Sequence, residues 1–144
     1  MAASNIPVES MREAAPLNAA CFVCGHENPA GLKLEFLTGK KCASAQWTTR
    51  IGWESFQGII HGGVISTVLD EAMSKAIISE GYEALTAELK IRFRAKVKVD
   101  EELRVRGWVV SMKKRKILAE ATLKTADGTE KAHAWAIFLV VRNP

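Results

Sequence analysis

Apolar and polar residues alternate along much of this chain, and the period of that alternation changes once. Leu32, Leu34 and Phe36 alternate with Lys33 and Glu35, the pattern of a half-buried strand. Thr38-Gly39-Lys40-Lys41 reads as a turn, with residues 42–49 as its antiparallel return. A looser stretch over 50–60, containing Gly52 and Gly58, precedes the change. Over residues 62–80, Ile65, Val68, Leu69, Ala72, Met73 and Ala76 fall on one arc of a helix, and Gly63, Ser66, Thr67, Asp70 and Ser74 fall on the opposite face. Gly81 supplies a stop. Beyond it the strand period returns. Leu89, Ile91 and Phe93, then Leu103, Val105 and Val109, then Ile117, Ala119, Ala121 and Leu123 alternate with mostly polar or charged neighbours. Asp127-Gly128 marks a hairpin, and residues 131–142 form a more apolar strand suited to a central or interface position. The predicted order, β-β-α-β-β-β-β, is that of an α+β fold. A largely apolar helix of about 18 residues needs cover nearly all round, which a curved antiparallel sheet wrapped around one long central helix provides. Residues 1–20, Ala-rich with Pro7 and Pro16, show no sustained period and read as an N-terminal arm before a domain spanning 21–144.

Composition narrows the class without naming an activity. A chain of 144 residues with 48% apolar and 25% charged residues is one ordinary globular domain. That balance excludes a disordered chain, a collagen-like repeat and a disulfide-dense miniprotein. No apolar run approaches the roughly 18–20 residues of a membrane span. Glu9 and Glu13 interrupt the first twenty residues, which do not resemble a signal peptide. Cys21, Cys24 and Cys42 cannot all pair within one chain, so a reducing, cytoplasmic setting is expected. The net charge of +4 is unevenly spread: eleven basic and only three acidic residues lie between Lys90 and Lys116. Either an anionic partner sits near that segment or it is the solvated face of strands.

The stretch Phe56-Gln57-Gly58-Ile59-Ile60-His61-Gly62-Gly63 runs directly into the helix. First-turn N–H groups have no intrahelical partners, and glycines leave them unshielded. With the helix dipole they suit a carbonyl oxygen that becomes an oxyanion during acyl transfer. A tight loop-to-helix turn is the plainer explanation of the same two glycines. Asp70 lies seven residues past Gly63 on the same face, beside Leu69, Met73 and Ile77. A carboxylate partly desolvated there would have a raised pKa suited to base or nucleophile work. Glu71, about 100° further round, can pair with Lys75 and reads as structural. Seven helical residues span roughly 10 Å along the axis. A carboxylate and an oxyanion donor acting on one carbonyl must each lie within about 3 Å of it. If both act, they come from different subunits, and the chain works as a homodimer.

Two groups of residues resemble a known family. Cys21-Phe22-Val23-Cys24-Gly25, Asn28-Pro29 and Gly31-Leu32 resemble the entry motif of one branch of the hotdog-fold acyl-CoA thioesterases. His61-Gly62-Gly63, Asp70 nine residues after the His, and Thr86 before the strand over 88–94 resemble the signature of the phenylacetate-pathway type. The resemblance covers roughly residues 20–142. It implies a hotdog dimer, often paired again into a tetramer, that hydrolyses acyl-CoA thioesters without a metal or any cofactor beyond the coenzyme A of the substrate. Asp70 would be the nucleophile or the base that activates water. The Gly63 amide would polarise the thioester carbonyl from the opposite subunit. His61 would shape the helix entry and touch the thioester, with Gly62, Val64 and Thr86 beside the substrate. The acyl group would occupy an apolar pocket near Phe56, Met73 and Ile77. Many members carry Pro after the post-helix strand, where this chain has Ala95-Lys96.

The remaining candidates weigh less. Cys21-x-x-Cys24 with His26 and Cys42 has acceptable zinc spacing for its first pair but no second tight pair, so packing in a structured loop is favoured over zinc or a redox dithiol. Lys113-Lys114-Arg115-Lys116 reads either as a solvated hairpin tip or, with Arg92 and Arg94, as a contact for the phosphates of coenzyme A. Nucleic acid is not expected, because Trp47, Trp53, Trp108 and Trp135 are too scattered for a stacking platform. Two other functions use the same scaffold. One is a non-catalytic acyl-CoA binding or sensing domain. The other is a hydratase or dehydratase, for which no convincing His–carboxylate pair is present.

Overall fold

A computed structural model describes residues 1–14 and 17–144. Strands β1 (Arg12–Glu13), β2 (Leu37–Gly39) and β3 (Cys42–Thr48) precede helix α1 (Gly62–Ile78). Strands β4 (Glu83–Phe93), β5 (Glu102–Lys113), β6 (Lys116–Thr125) and β7 (Glu130–Arg142) follow it. The seven strands form one antiparallel sheet in the order β1-β2-β3-β5-β6-β7-β4. The expected element order is present, with β1 added at one edge.

The sheet curls around α1. Val68, Leu69, Ala72, Met73 and Ala76 have no exposure, and they meet the inward residues of every long strand, among them Val105, Ala121, Ala134 and Phe138. Each buried side chain of Leu, Ile, Val or Phe size contributes roughly 1.5–3 kcal/mol, so this wrap is the main source of stability. Gly107 interrupts the apolar alternation of β5 for a steric reason: a Cβ there would lie 2.4 Å from the Ala72 carbonyl. The helix crosses β5 at that point, and only glycine admits it.

Two expectations need correcting. Leu32, Leu34 and Phe36 are buried and alternate with exposed neighbours, but ladder pairing begins only at Leu37. The Leu32 and Leu34 N–H groups instead donate to the carbonyls of Phe22 and Val23, and Lys33 takes a left-handed φ of 56°. Alternating burial here comes from a loop laid over the core, not from a strand. The N-terminal segment is also more tied than an irregular arm. Ala14 N–H donates to the Phe36 carbonyl at 3.0 Å, and the Arg106 guanidinium donates to the carbonyls of Ala3 and Ile6.

Among the described residues, the last strand in the sheet order, β4, pairs only with β7. Its other edge is open, and Leu85, Leu89 and Phe93 are 65%, 40% and 50% exposed along it. A long apolar edge of this kind is a surface that proteins ordinarily cover. None of the described helices is long and apolar enough to cross a membrane.

Candidate active site

The loop before α1 fixes how the helix begins. Trp53 stacks on the buried Trp47 at 5.9 Å, and the Trp53 carbonyl accepts the His61 N–H at 2.8 Å. The Ile60 N–H donates to Val97 O, and Glu54 accepts the Gly58 N–H at 2.6 Å. His61 is the N-cap residue. Its carbonyl accepts from Val64 and Ile65, and its side-chain Nδ1 accepts the Gly63 N–H at 2.8 Å. That bond changes the expected role of Gly63, because its amide is engaged by the imidazole in this state. It also assigns the His61 tautomer: with Nδ1 accepting, the ring proton sits on Nε2, a donor directed away from the bond. The Gly62 N–H has no acceptor among the described residues. The helix N-terminus therefore presents the Gly62 N–H and the His61 Nε2–H, and it yields the Gly63 N–H if the imidazole turns.

Two turns along, Asp70 sits half-buried on the side of α1 that faces β4. The Thr86 hydroxyl donates to Asp70 Oδ1 at 2.7 Å, while Oδ2 has no donor among the described residues. Burial pushes the Asp70 carboxyl above its ordinary value, and the Thr86 bond partly offsets this by favouring the ionised form. The β4–β7 register shifts between Thr86 and Glu88, leaving Ala87 without a partner. Such bulges re-aim neighbouring side chains. Sequence resemblance singled out Thr86, and the geometry supplies its partner. Gly63 and Asp70 lie on one continuous helix, so the separation of roughly 10 Å between them stands.

Thr86→Val tests the coupling between hydroxyl and carboxylate. Removing the donor raises the Asp70 pKa further, so the acid limb of a kcat/KM profile that requires the ionised carboxylate moves to higher pH. An acid limb that does not move would show that Asp70 is not the titrating group.

Other expected site residues are not brought together. Met73 and Ile77 are enclosed in the core at 0% and 1% exposure, whereas Phe56 stands 79% exposed in the loop before α1. These three do not form an apolar pocket within one chain, because Met73 and Ile77 lie on the arc of α1 that the sheet covers. Val64 is half-buried beside the core near the helix start. Arg92 lies opposite His133 in the register, on the outer face with Trp135, whereas Thr86 and Asp70 are on the inner face. Arg92 is also six positions along β4 from Thr86, roughly 20 Å away. Arg94 is paired with Glu130 at 2.6 Å.

The basic tip divides into two parts. Lys113 and Lys114 are exposed, while the Arg115 guanidinium donates to the Val140 carbonyl at 3.1 and 3.3 Å and ties the β5–β6 hairpin to β7. Lys116 and Leu85 both pair with Leu139, so the tip lies level with the Thr86 end of β4, about 10 Å across the sheet. Lys113 and Lys114 are thus better placed than Arg92 for an anion that reaches Asp70.

A separate cluster was not foreseen. Cys24 donates its thiol to Glu71 Oε1 at 3.5 Å, and Lys75 approaches the same oxygen at 4.0 Å with its side chain 3% exposed. The expected Glu71–Lys75 pair exists, but the thiol joins it. Burial pushes the Cys24 thiol up to about 12, which removes it as a nucleophile at neutral pH.

Comparisons place this geometry among known proteins. The profile of the thioesterase superfamily matches residues 57–132, which include His61, Asp70 and Thr86. Acyl-coenzyme A thioesterase THEM4 of Mus musculus is 30% identical over 83 residues, covering 57% of this chain. The matched part spans only 36% of the mouse protein's length. A crystal structure of a thioesterase superfamily protein superposes with a TM-score of 0.80 at 25% identity, covering 84% of this chain and 60% of that one. The Escherichia coli PaaI protein from the phenylacetic acid degradation operon gives a TM-score of 0.74 at 17% identity, covering 82% and 88% respectively. At that identity the likeness concerns the fold.

Proposed function

The chain belongs to the thioesterase superfamily, and from that premise we propose that it hydrolyses the thioester of an acyl-CoA at a site shared by two copies of the chain. The observation that carries this reading is the setting of Asp70. It is a carboxylate raised by burial and held through one oxygen by Thr86, beside an open apolar strand edge. Its other oxygen is left for water or the carbonyl. In the general-base route, Asp70 takes a proton from water as the water oxygen attacks the thioester carbon. The oxyanion accepts hydrogen bonds from the helix N-terminus, the C–S bond breaks, and the departing sulfur receives the proton. In the nucleophilic route, an Asp70 oxygen attacks the thioester carbon, the C–S bond breaks, and coenzyme A departs as a thiolate that takes up a proton. Water then hydrolyses the mixed anhydride to release the acid and restore Asp70. Both routes use the same residues.

The electrophilic end comes from the second copy. Along one helix the Gly62–Gly63 terminus is too far from Asp70 to share a carbonyl with it. Pairing through β4 covers its open edge and gives each Asp70 a helix terminus from across the interface. The acyl group then lies between the two chains rather than in a pocket of one. Lys113 and Lys114 extend toward the phosphates of coenzyme A. Outer-face residues Val110, Leu118 and Trp135 offer a surface through which two dimers pair. Three free cysteines accord with a reducing cytoplasmic setting.

Release of free thiol from a panel of short-chain, long-chain and aryl acyl-CoAs tests the proposal. Release above the uncatalysed background with at least one acyl group is expected. Saturable binding of acyl-CoAs with no thiol release across the panel would instead identify a binding domain on this scaffold.

A further inference from the structure

About 100° round α1 from Asp70, Glu71 faces the loop of residues 21–25. That loop is tightly built. The Gly25 N–H donates to Cys21 O at 3.0 Å, and the Phe22 and Val23 carbonyls accept from Leu32 and Leu34. A Cβ on Gly25 would lie 2.4 Å from the Ala19 carbonyl and the Cys21 nitrogen, so this closure demands glycine. Its result is that both thiols turn toward one helix carboxylate. The Sγ atoms of Cys21 and Cys24 and a Glu71 oxygen all lie within 4.8 Å of one another.

We propose that Cys21, Cys24 and Glu71 form a binding site for a zinc-class divalent cation, with water as the fourth ligand. In a tetrahedral zinc site with Zn–S of about 2.3 Å and Zn–O of about 2.0–2.2 Å, the sulfur-to-oxygen edge is about 3.5–3.7 Å and the sulfur-to-sulfur edge about 3.8 Å. The Cys24–Glu71 separation of 3.5 Å already has that edge length. Binding releases both thiol protons to solvent. Two thiolates, one carboxylate, a divalent cation and the buried Lys75 ammonium then sum to zero charge, which leaves the half-buried cluster electrically balanced. Two thiolates select zinc over magnesium or calcium. A plain dithiol would need no carboxylate at this position, whereas Cys24 is turned onto Glu71. The expectation drawn from spacing alone, packing thiols without a second ligand pair, overlooked the helix as the source of the third ligand. Because Glu71 adjoins Asp70, a bound cation pins the turn of α1 that carries the candidate catalytic carboxylate.

Cobalt(II) serves as the spectroscopic probe for zinc. The reduced, chelator-stripped full chain is titrated with Co²⁺ while the thiolate-to-cobalt charge-transfer band and the visible bands of a tetrahedral ion are followed. The site predicts bands that saturate at one equivalent per chain and bleach when Zn²⁺ is added. Cys42→Ser keeps them, and Cys21→Ser with Cys24→Ser abolishes them. Glu71→Gln, which preserves an acceptor for Cys24 and so keeps the local fold, weakens binding about tenfold or more. Three results would overturn the site: no charge-transfer band at one equivalent, a Glu71→Gln titration identical to that of the unmodified chain, or bands that depend on Cys42.

Discussion

Asp70→Asn lowers acyl-CoA hydrolysis by about 10²–10⁴-fold while the fold and the assembly persist. The substitution keeps the shape of the side chain and leaves an oxygen to accept the Thr86 hydroxyl, so the contact at 2.7 Å survives. What disappears is the capacity to take a proton or attack a carbonyl, which either route requires. Stability should not fall with activity. Burial raises the Asp70 pKa in the folded chain. Its stabilising contribution is therefore present below the unfolded pKa and lost as pH rises through the folded value. Once Asp70 is ionised, the folded protein carries a partly desolvated charge, a cost that the neutral Asn amide does not have. Thiol release paired with thermal unfolding checks both parts: a large loss of turnover with an undiminished Tm is expected. Near-wild-type turnover would remove Asp70 from the centre of the chemistry.

Gly63→Pro has the second largest expected effect, a loss of about 10²–10³-fold in kcat. Proline at this point deletes one N–H, narrows the backbone freedom of Gly62, and places a Cβ 3.0 Å from His61 Nδ1, so the imidazole must shift. The fixed φ of proline suits the first helical turn, where amides lack intrahelical acceptors. The bond it removes is the one to His61 Nδ1, so the imidazole is also released from the tautomer that directs Nε2–H outward. Two of the donors at the helix terminus, the Gly63 N–H and the directed His61 Nε2–H, are lost together, and only the Gly62 N–H remains to polarise a carbonyl. The structural cost is that of a lost helix cap, about 1 kcal/mol. A kcat close to that of the unmodified chain, with the dimer intact, would show that the carbonyl is polarised elsewhere.

Period and spacing carried most of the fold. A single helix with one clean apolar arc among alternating strands left few other ways to bury Leu69 and Phe138, and the sheet does wrap that helix. The Leu32–Phe36 alternation misled because a loop over a core buries every second residue as a strand does; only the backbone partners, Phe22 and Val23, tell them apart. The gap at Gly107 in the β5 alternation takes its meaning from the structure, where α1 passes too close for a Cβ. At the site, Asp70 and Thr86 were both legible, the latter only through resemblance, since nothing in one sequence brings residues 16 apart into contact. The capture of the Gly63 amide by His61 depends on one side-chain rotamer and was not legible. Met73 and Ile77 are covered by the sheet within one chain, and helical spacing does not show this, because it says which residues are apolar but not which of them the sheet will cover. Glu71 looked like half of an ordinary i,i+4 pair, and its meeting with Cys24 needs contact across 47 residues of sequence.

The central claim is that one reaction centre takes Asp70 from one chain and the helix terminus from another. Mixed dimers test it directly. Chains carrying Asp70→Asn and chains carrying Gly63→Pro are co-expressed with different tags, and dimers containing both are isolated. In a two-fold dimer, one of the two sites then collects both lesions and the other collects neither. With a shared site, the mixed dimer recovers about half the activity of the unmodified dimer, although each variant alone is nearly inactive. A mixed dimer as inactive as its parents would place Asp70 and its oxyanion donors within a single chain and contradict the shared site.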